Sequence, residues 1–172
     1  KVLNLFAYTG GATIAAAAAG ASVTHVDASK GMVTWAKENA VSSGLKDAPI
    51  RWLVDDCVKF VEREIRRGNT YDAIIMDPPS YGRGPKGEIW KIEDAIHPLI
   101  KLCTKILSDD PLFFLVNSYT TGLAPAVLTY MLGTELKQYD GHVDSQEIGL
   151  PVTNSGLVLP CGASGRWESN RS

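Results

Sequence analysis

The strongest constraint on the fold is a repeated alternation. Short apolar runs, each closed by a polar or turn-forming residue, are followed by stretches with helical periodicity. Val2 to Phe6 reads as a strand, and the Ala-rich segment Gly11 to Ala19 as a helix that Gly20 is placed to end. Ser22 to Asp27 is the second strand, and Ser29 can cap a helix running to about Ser42, closed by Gly44. Ile50 to Val54 is the third strand, and Asp56 opens a helix through Arg67 with Gly68 just beyond. Tyr71 to Met76 is the fourth strand, stopped by Asp77-Pro78-Pro79. Ser80 to Glu88 reads as a loop, Ile89 to Leu107 as a helix that Pro98 should limit or kink, and Leu112 to Asn117 as the fifth strand. A helix over Leu123 to Leu136 and two weakly patterned strands, Asp144 to Leu150 and Gly156 to Cys161, complete the chain. Such alternation predicts an α/β fold: a Rossmann-like, doubly wound, mostly parallel seven-stranded sheet with helices on both faces.

Composition bounds the function classes. A chain of 172 residues fits one domain, here 1–172, and 45% apolar residues exclude disorder. With 17 Lys+Arg against 19 Asp+Glu the net charge is −2, which argues against a free-standing electrostatic nucleic-acid binder. No apolar run is long enough to cross a bilayer. Cys57, Cys103 and Cys161 form neither a disulfide framework nor a zinc pattern, so reduced thiols in a cytoplasmic protein, with no metal site, are expected. Lys1 is not an initiator Met, and a core strand starts at Val2. A preceding N-terminal portion is therefore expected.

In doubly wound sheets ligands bind beyond the carboxyl ends of the strands, at the switch in strand order. The loops after Phe6, Val26, Val54, Met76 and Val116 are thus the places where chemistry should gather. Phe6-Ala7-Tyr8-Thr9-Gly10-Gly11-Ala12 joins strand to helix with paired glycines, but lacks both the dinucleotide Gly spacing and a phosphate-loop Lys. Asp27 ends the second strand, where a carboxylate can accept both hydroxyls of a ribose; a helix-start acid is the plainer role. Asp56 could accept an adenine amino group with the Cys57 N–H donating to the ring, although an N-cap is the commoner role for an Asp before a helix. Asp77-Pro78-Pro79-Ser80-Tyr81 combines an acid, a rigid double-proline exit and an aromatic, a set suited to a planar amino-bearing acceptor.

Together these segments resemble the class I S-adenosylmethionine-dependent methyltransferases. Leu3-Asn4-Leu5-Phe6-Ala7-Tyr8-Thr9-Gly10-Gly11 is similar to the family's first motif in its ribosomal-RNA branch, which includes large-subunit cytosine-C5 and guanine-N7 methyltransferases. Val26-Asp27-Ala28-Ser29 resembles the second motif, Asp56-Cys57 the third and Asp77-Pro78-Pro79-Ser80-Tyr81 the fourth. Asn39 with Ser43-Gly44-Leu45 resembles the end of the family's second helix. The resemblance implies S-adenosyl-L-methionine as cofactor. The loop from Tyr8 to Ala12, with Tyr8, Thr9, Gly10 and Ala12, would hold its methionine end and Asp27 its ribose; Ala28 and Ser29 would flank its adenine, Asp56 and Cys57 would read the adenine edge, and Asn4, Phe6, Asn39 and Asp77 would be further cofactor contacts. Where the first motif commonly carries an acid this chain has Asn4, which accepts through its carbonyl without a charge.

Asp77, Pro78 and Tyr81 are the expected catalytic set, and Ser80, Tyr81, Arg83 and Lys86 the expected substrate contacts, on a lid running from Gly82 to Lys91. Cytosine-C5 methylation needs a thiolate that adds to the ring, and the fourth motif and the end of the fifth strand contain no Cys. Direct transfer to a base nitrogen of ribosomal RNA, with the N-terminal portion supplying the RNA surface, is the leading expectation. A small-molecule or protein methyltransferase of the same fold, and a non-catalytic cofactor-binding scaffold, are the alternatives.

Overall fold

The computed structural model describes residues 1–171. In chain order the elements are β1 (Val2–Leu5), α1 (Gly11–Ala18), β2 (Val23–Asp27), α2 (Lys30–Ser42), β3 (Ile50–Val54), α3 (Cys57–Arg67) and β4 (Ala73–Met76). There follow β5 (Tyr81–Arg83), β6 (Ile89–Lys91), α4 (Ile92–Thr104), β7 (Phe113–Ser118), α5 (Pro125–Glu135), β8 (Gly141–Pro151) and β9 (Val158–Ser169). Seven strands form one sheet in the order β3-β2-β1-β4-β7-β9-β8. The first five run parallel, and β9 and β8 close the far side antiparallel to their neighbours. The doubly wound architecture expected from the sequence is present. Strand order reverses between β1 and β4, which opens a crevice beyond Leu5 and Met76.

The apolar pattern explains the layering. Every residue of β1 and β4 is buried, as strands covered on both faces require. Leu3, Leu5, Ile74, Met76, Phe114 and Val116 belong to the larger core, which Phe60 of α3, Leu99 and Ile100 of α4 and Leu128 and Leu132 of α5 complete. Val2, Val23, Ala73 and Ile75 face the other way into a smaller core with Ala17 of α1. The local punctuation acts as the residue types dictate. The Ser29 hydroxyl accepts from Met32 N at the start of α2, and Gly68 ends α3 in the left-handed region at φ 70°.

Three expectations need correction. Ser80 to Glu88 is not an open loop, because Tyr81–Arg83 and Ile89–Lys91 pair as an antiparallel hairpin. The helix expected from Ile89 therefore starts at Ile92, and Pro98 lies inside it without ending it. Pro98 and Asp94, the residue whose carbonyl it leaves unpaired, both lie on the exposed face, where water can satisfy the carbonyl. The two final strands are longer than expected, and Trp167, near the end of the chain, is buried in the main core. β8 and β9 also continue past the last residue that pairs with β7, so that residues 148–161 project as a two-stranded arm with Leu150, Leu157 and Leu159 exposed.

A buried polar chain lies under the first loop. Asn4 Nδ2 donates to Thr13 Oγ1 over 3.0 Å, and Thr13 Oγ1 shares a 2.8 Å hydrogen bond with His25 Nδ1. His25 is fully buried, and desolvation lowers its pKa from 6.5 to about 4. Between those values the unfolded chain binds a proton that the folded chain refuses, so stability is full above pH 6.5 and is lost as the pH falls towards 4. The expected loss from this one group is about 3 kcal/mol. It is read as the difference in urea midpoint between pH 7 and acid for the wild type, set against His25→Gln, in which this part of the pH dependence should vanish.

Candidate active site

The five strand ends of the crevice enclose a cavity of about 590 Å³, the size of a nucleoside-bearing ligand site. The loop after β1 forms one wall in an uncommon backbone conformation. Phe6 and Tyr8, neither of them glycine, hold φ at 54° and 51°. A non-glycine residue in this region costs roughly 1–2 kcal/mol, so the surroundings must impose it. Phe6 N donates to Cys57 Sγ at 3.4 Å, Ala7 N to Val26 O at 3.1 Å, and Tyr8 N to Asp27 Oδ1 at 3.1 Å. Asn39 of α2 donates through Nδ2 to Thr9 O at 2.9 Å, which secures the outgoing side. Gly10 is required on two counts: its φ is 86°, and a Cβ there would meet Ala36 Cβ at 3.1 Å.

Asp27 joins two loops. Oδ1 accepts from Tyr8 N and Oδ2 from Ser29 N at 3.0 Å, which leaves each oxygen capacity for a further donor such as a hydroxyl. Asp56 fills the helix-cap role, with Oδ2 accepting from Lys59 N at 3.0 Å, and it also lines the cavity beside Cys57. Across the crevice Asp77 faces the cavity from the end of β4, and the protein around it raises its carboxyl pKa above the ordinary 3.8 by desolvation. Trp90 is buried, donates Nε1 to Pro79 O at 2.8 Å and packs on Phe6 with ring centroids 4.8 Å apart. Trp90 thus packs the base of the hairpin against the first loop.

The cavity gathers nine of the residues singled out in the sequence: Phe6, Tyr8, Asp27, Ala28 and Ser29 from the first two loops, with Asp56, Cys57, Asp77 and Arg83. Asn4, Thr9, Gly10, Ala12 and Asn39 do not line it. Asn4 is turned to Thr13 beneath the loop, and Asn39 acts on the Thr9 carbonyl. Pro78 is buried and does not line the cavity, the Ser80 hydroxyl pairs with Thr120 Oγ1 at 2.6 Å, and Tyr81 is exposed outside the cavity. Lys86 lies in the hairpin turn, its backbone N–H bonded to Glu88. Met32, Pro79, Gly82, Gly84, Trp90 and Tyr119 also line the cavity, though the sequence did not single them out as ligand contacts. Tyr119 directly follows β7, so the strand-end rule points to it, and Met32 is the residue whose N–H meets the Ser29 cap.

The lining carries Asp27, Asp56 and Asp77 against one cation, Arg83. Such a field suits a ligand with positive charge and hydroxyl or amino donors. A sulfonium nucleoside has those groups. Asp27 would take its ribose hydroxyls, Asp56 and Cys57 would face its base, and Tyr8 would flank its amino-acid end.

A family model described as S-adenosylmethionine-dependent methyltransferase matches residues 1–125. Over 108 residues, 62% of this chain and 15% of the relative, the chain is 40% identical to the ribosomal RNA large subunit methyltransferase K/L of Pseudoalteromonas atlantica. Over 120 residues, 69% of this chain and 34% of the relative, it is 32% identical to the ribosomal RNA large subunit methyltransferase K of Neisseria meningitidis serogroup B. A crystal structure of a SAM-dependent methyltransferase from Agrobacterium tumefaciens superposes with a TM-score of 0.92 at 43% identity, covering 97% of this chain and 55% of that one. The chain thus spans only 15 to 55% of the lengths of these proteins. With the family match running from β1 through the start of α5, this chain belongs to the S-adenosylmethionine-dependent methyltransferase family.

Proposed function

We propose that the chain transfers a methyl group directly to a base nitrogen of ribosomal RNA, without a covalent cysteine intermediate. The observation that carries this reading is the pairing of Asp77 at the acceptor end of the cavity with the state of its one lining thiol, Cys57. Burial pushes the Cys57 thiol well above its ordinary pKa, so it is held protonated, and its sulfur accepts the Phe6 N–H. A nucleophilic thiolate is therefore not what the cavity offers. The bound cofactor would supply an already activated methyl group, so the protein's task is positioning. Asp77 accepts a hydrogen from the acceptor's amino group or ring nitrogen and directs the lone pair at the methyl carbon. Its raised pKa brings it closer to a useful proton acceptor. Tyr119, at the mouth, and Tyr81, just outside, offer ring faces for a base, and Arg83 a charge for its phosphate. The names of the relatives from Pseudoalteromonas and Neisseria support large-subunit ribosomal RNA as the acceptor class.

The test is incubation with methyl-labelled cofactor and unmethylated ribosomal RNA, followed by nucleoside mapping. Label on a ring or exocyclic nitrogen is expected. Label on a pyrimidine carbon would overturn the direct mechanism, and label only in protein or small molecules would overturn the RNA acceptor. The thiols provide a separate check. Cys57 and Cys103 are buried with raised pKa values, whereas Cys161 is partly exposed. Iodoacetamide at pH 8 is expected to modify Cys161 alone in the native protein and to leave transfer intact, as peptide mapping would show.

A further inference from the structure

The hairpin of β5 and β6 leaves Asp77 by way of the two prolines and reaches across to the other end of the cavity. Gly82, Arg83 and Gly84 line the same space as Asp56 and Cys57. The turn that follows is internally bonded, Gly84 N to Glu88 O at 2.8 Å and Gly87 N to Gly84 O at 3.1 Å. It lands on α3: Glu88 Oε2 lies 3.4 Å from Lys59 Nζ, and Lys59 is the residue whose N–H the Asp56 carboxylate caps. The other carboxylate oxygen of Glu88 accepts from Lys86 N at 2.8 Å, which aims the side chain at Lys59. Gly84 is packed so closely here that a Cβ would lie 2.8 Å from Glu88 Cδ. The root of the hairpin is fixed by the Trp90 bond to Pro79 O and by Ile92 N donating to Ser80 O at 3.1 Å. Its far end is joined to the body through the Lys59–Glu88 pair, whose side chains are 50% and 17% exposed.

We propose that this hairpin is a strap closed over the cofactor cavity, that Lys59 and Glu88 are its latch, and that release of the latch is the step that admits and discharges the cofactor. The sequence suggests an acceptor lid in this segment; the geometry makes it a wall of the cofactor's own compartment. Lys59 and Glu88 do not line the cavity and are positioning residues, acting through Gly82 to Gly84. The proposal rests on the reading of the cavity as the cofactor site.

Stopped-flow fluorescence with S-adenosylhomocysteine as the probe measures association and dissociation for the wild type, Glu88→Gln, Lys59→Met and the exchange Lys59→Glu/Glu88→Lys. Each single variant should raise both rates about three- to five-fold, the upper range for a partly exposed ion pair. The dissociation constant should move less than either rate, and the exchange should bring the rates back towards those of the wild type. Both wild-type rates should also rise with added NaCl, and the singles should have lost that dependence. A thermal midpoint for each variant guards against misfolding, since both side chains lie at the surface. Unchanged rates in the singles would overturn the latch. Faster dissociation with unaltered association would overturn the gate and leave a static wall. Failure of the wild type to bind the probe would overturn the cofactor reading, and the strap with it.

Discussion

Asp77→Asn is expected to reduce methyl transfer by about 10²–10⁴-fold, the usual weight of a positioned proton acceptor. Affinity for S-adenosylhomocysteine should be little altered, since the amide keeps the size of the side chain and the proposed ribose and adenine contacts lie elsewhere. Single-turnover transfer and calorimetry measure the two separately. In the proposed role the working form is the ionised carboxylate, and desolvation raises its pKa above 3.8. The wild-type rate should therefore fall on the acid side at a pH higher than an ordinary aspartate would give, and the Asn variant should lack that limb. Loss of binding together with transfer would mean that Asp77 belongs to the cofactor subsite. Full activity would remove it from the mechanism.

Asp27→Ala should show the opposite profile. In the proposed cofactor site it removes two charge-assisted acceptors for the ribose, worth about 1.5–3 kcal/mol each, so affinity for S-adenosylhomocysteine should fall by roughly 10²-fold or more. It also frees Tyr8 N and Ser29 N, which now meet on one carboxylate, and so loosens the loop that holds Phe6 and Tyr8 at positive φ. A lower thermal midpoint should accompany the weaker binding. If the midpoint drops while affinity stays, Asp27 is a brace between loops and nothing more. Isothermal titration at several protein concentrations, with the midpoint from circular dichroism, separates the outcomes.

The central sheet was legible because its signals are local. Ser29, Asp56 and Gly68 cap helices through their own neighbours, and the β1 and β4 segments are apolar at every position but Asn4, as strands covered on both faces favour. The Asp27, Asp56 and Asp77 positions were legible for the same reason, since each follows a recognisable strand. The hairpin of β5 and β6 was not. Its strands are three residues long, one is Tyr-Gly-Arg, and Ile89-Trp90-Lys91 merges into the apolar period of α4. The start of β8 is hidden because Gly141, His142 and Val143 carry little strand signal. They pair with Ser169, Glu168 and Trp167, a partnership that sequence separation hides. Asn39 stands in a motif that points to the cofactor; in the fold its side chain braces a carbonyl 30 residues away, a contact that only the fold discloses. The Asn4–Thr13–His25 chain likewise joins three elements, and no single window of sequence contains it.

The conformation of the first loop bears on how this sequence would fare under selection or design. Tyr8 sits at φ 51° and is 61% exposed, so its ring gains little from packing. A glycine there would relieve about 1 kcal/mol of backbone strain. A search scored on thermostability alone would therefore favour Tyr8→Gly, and the improved protein would lose a ring from the cavity wall. At this position an increase in melting temperature is expected to report a poorer catalyst, and a tyrosine retained here marks selection for ligand handling over stability.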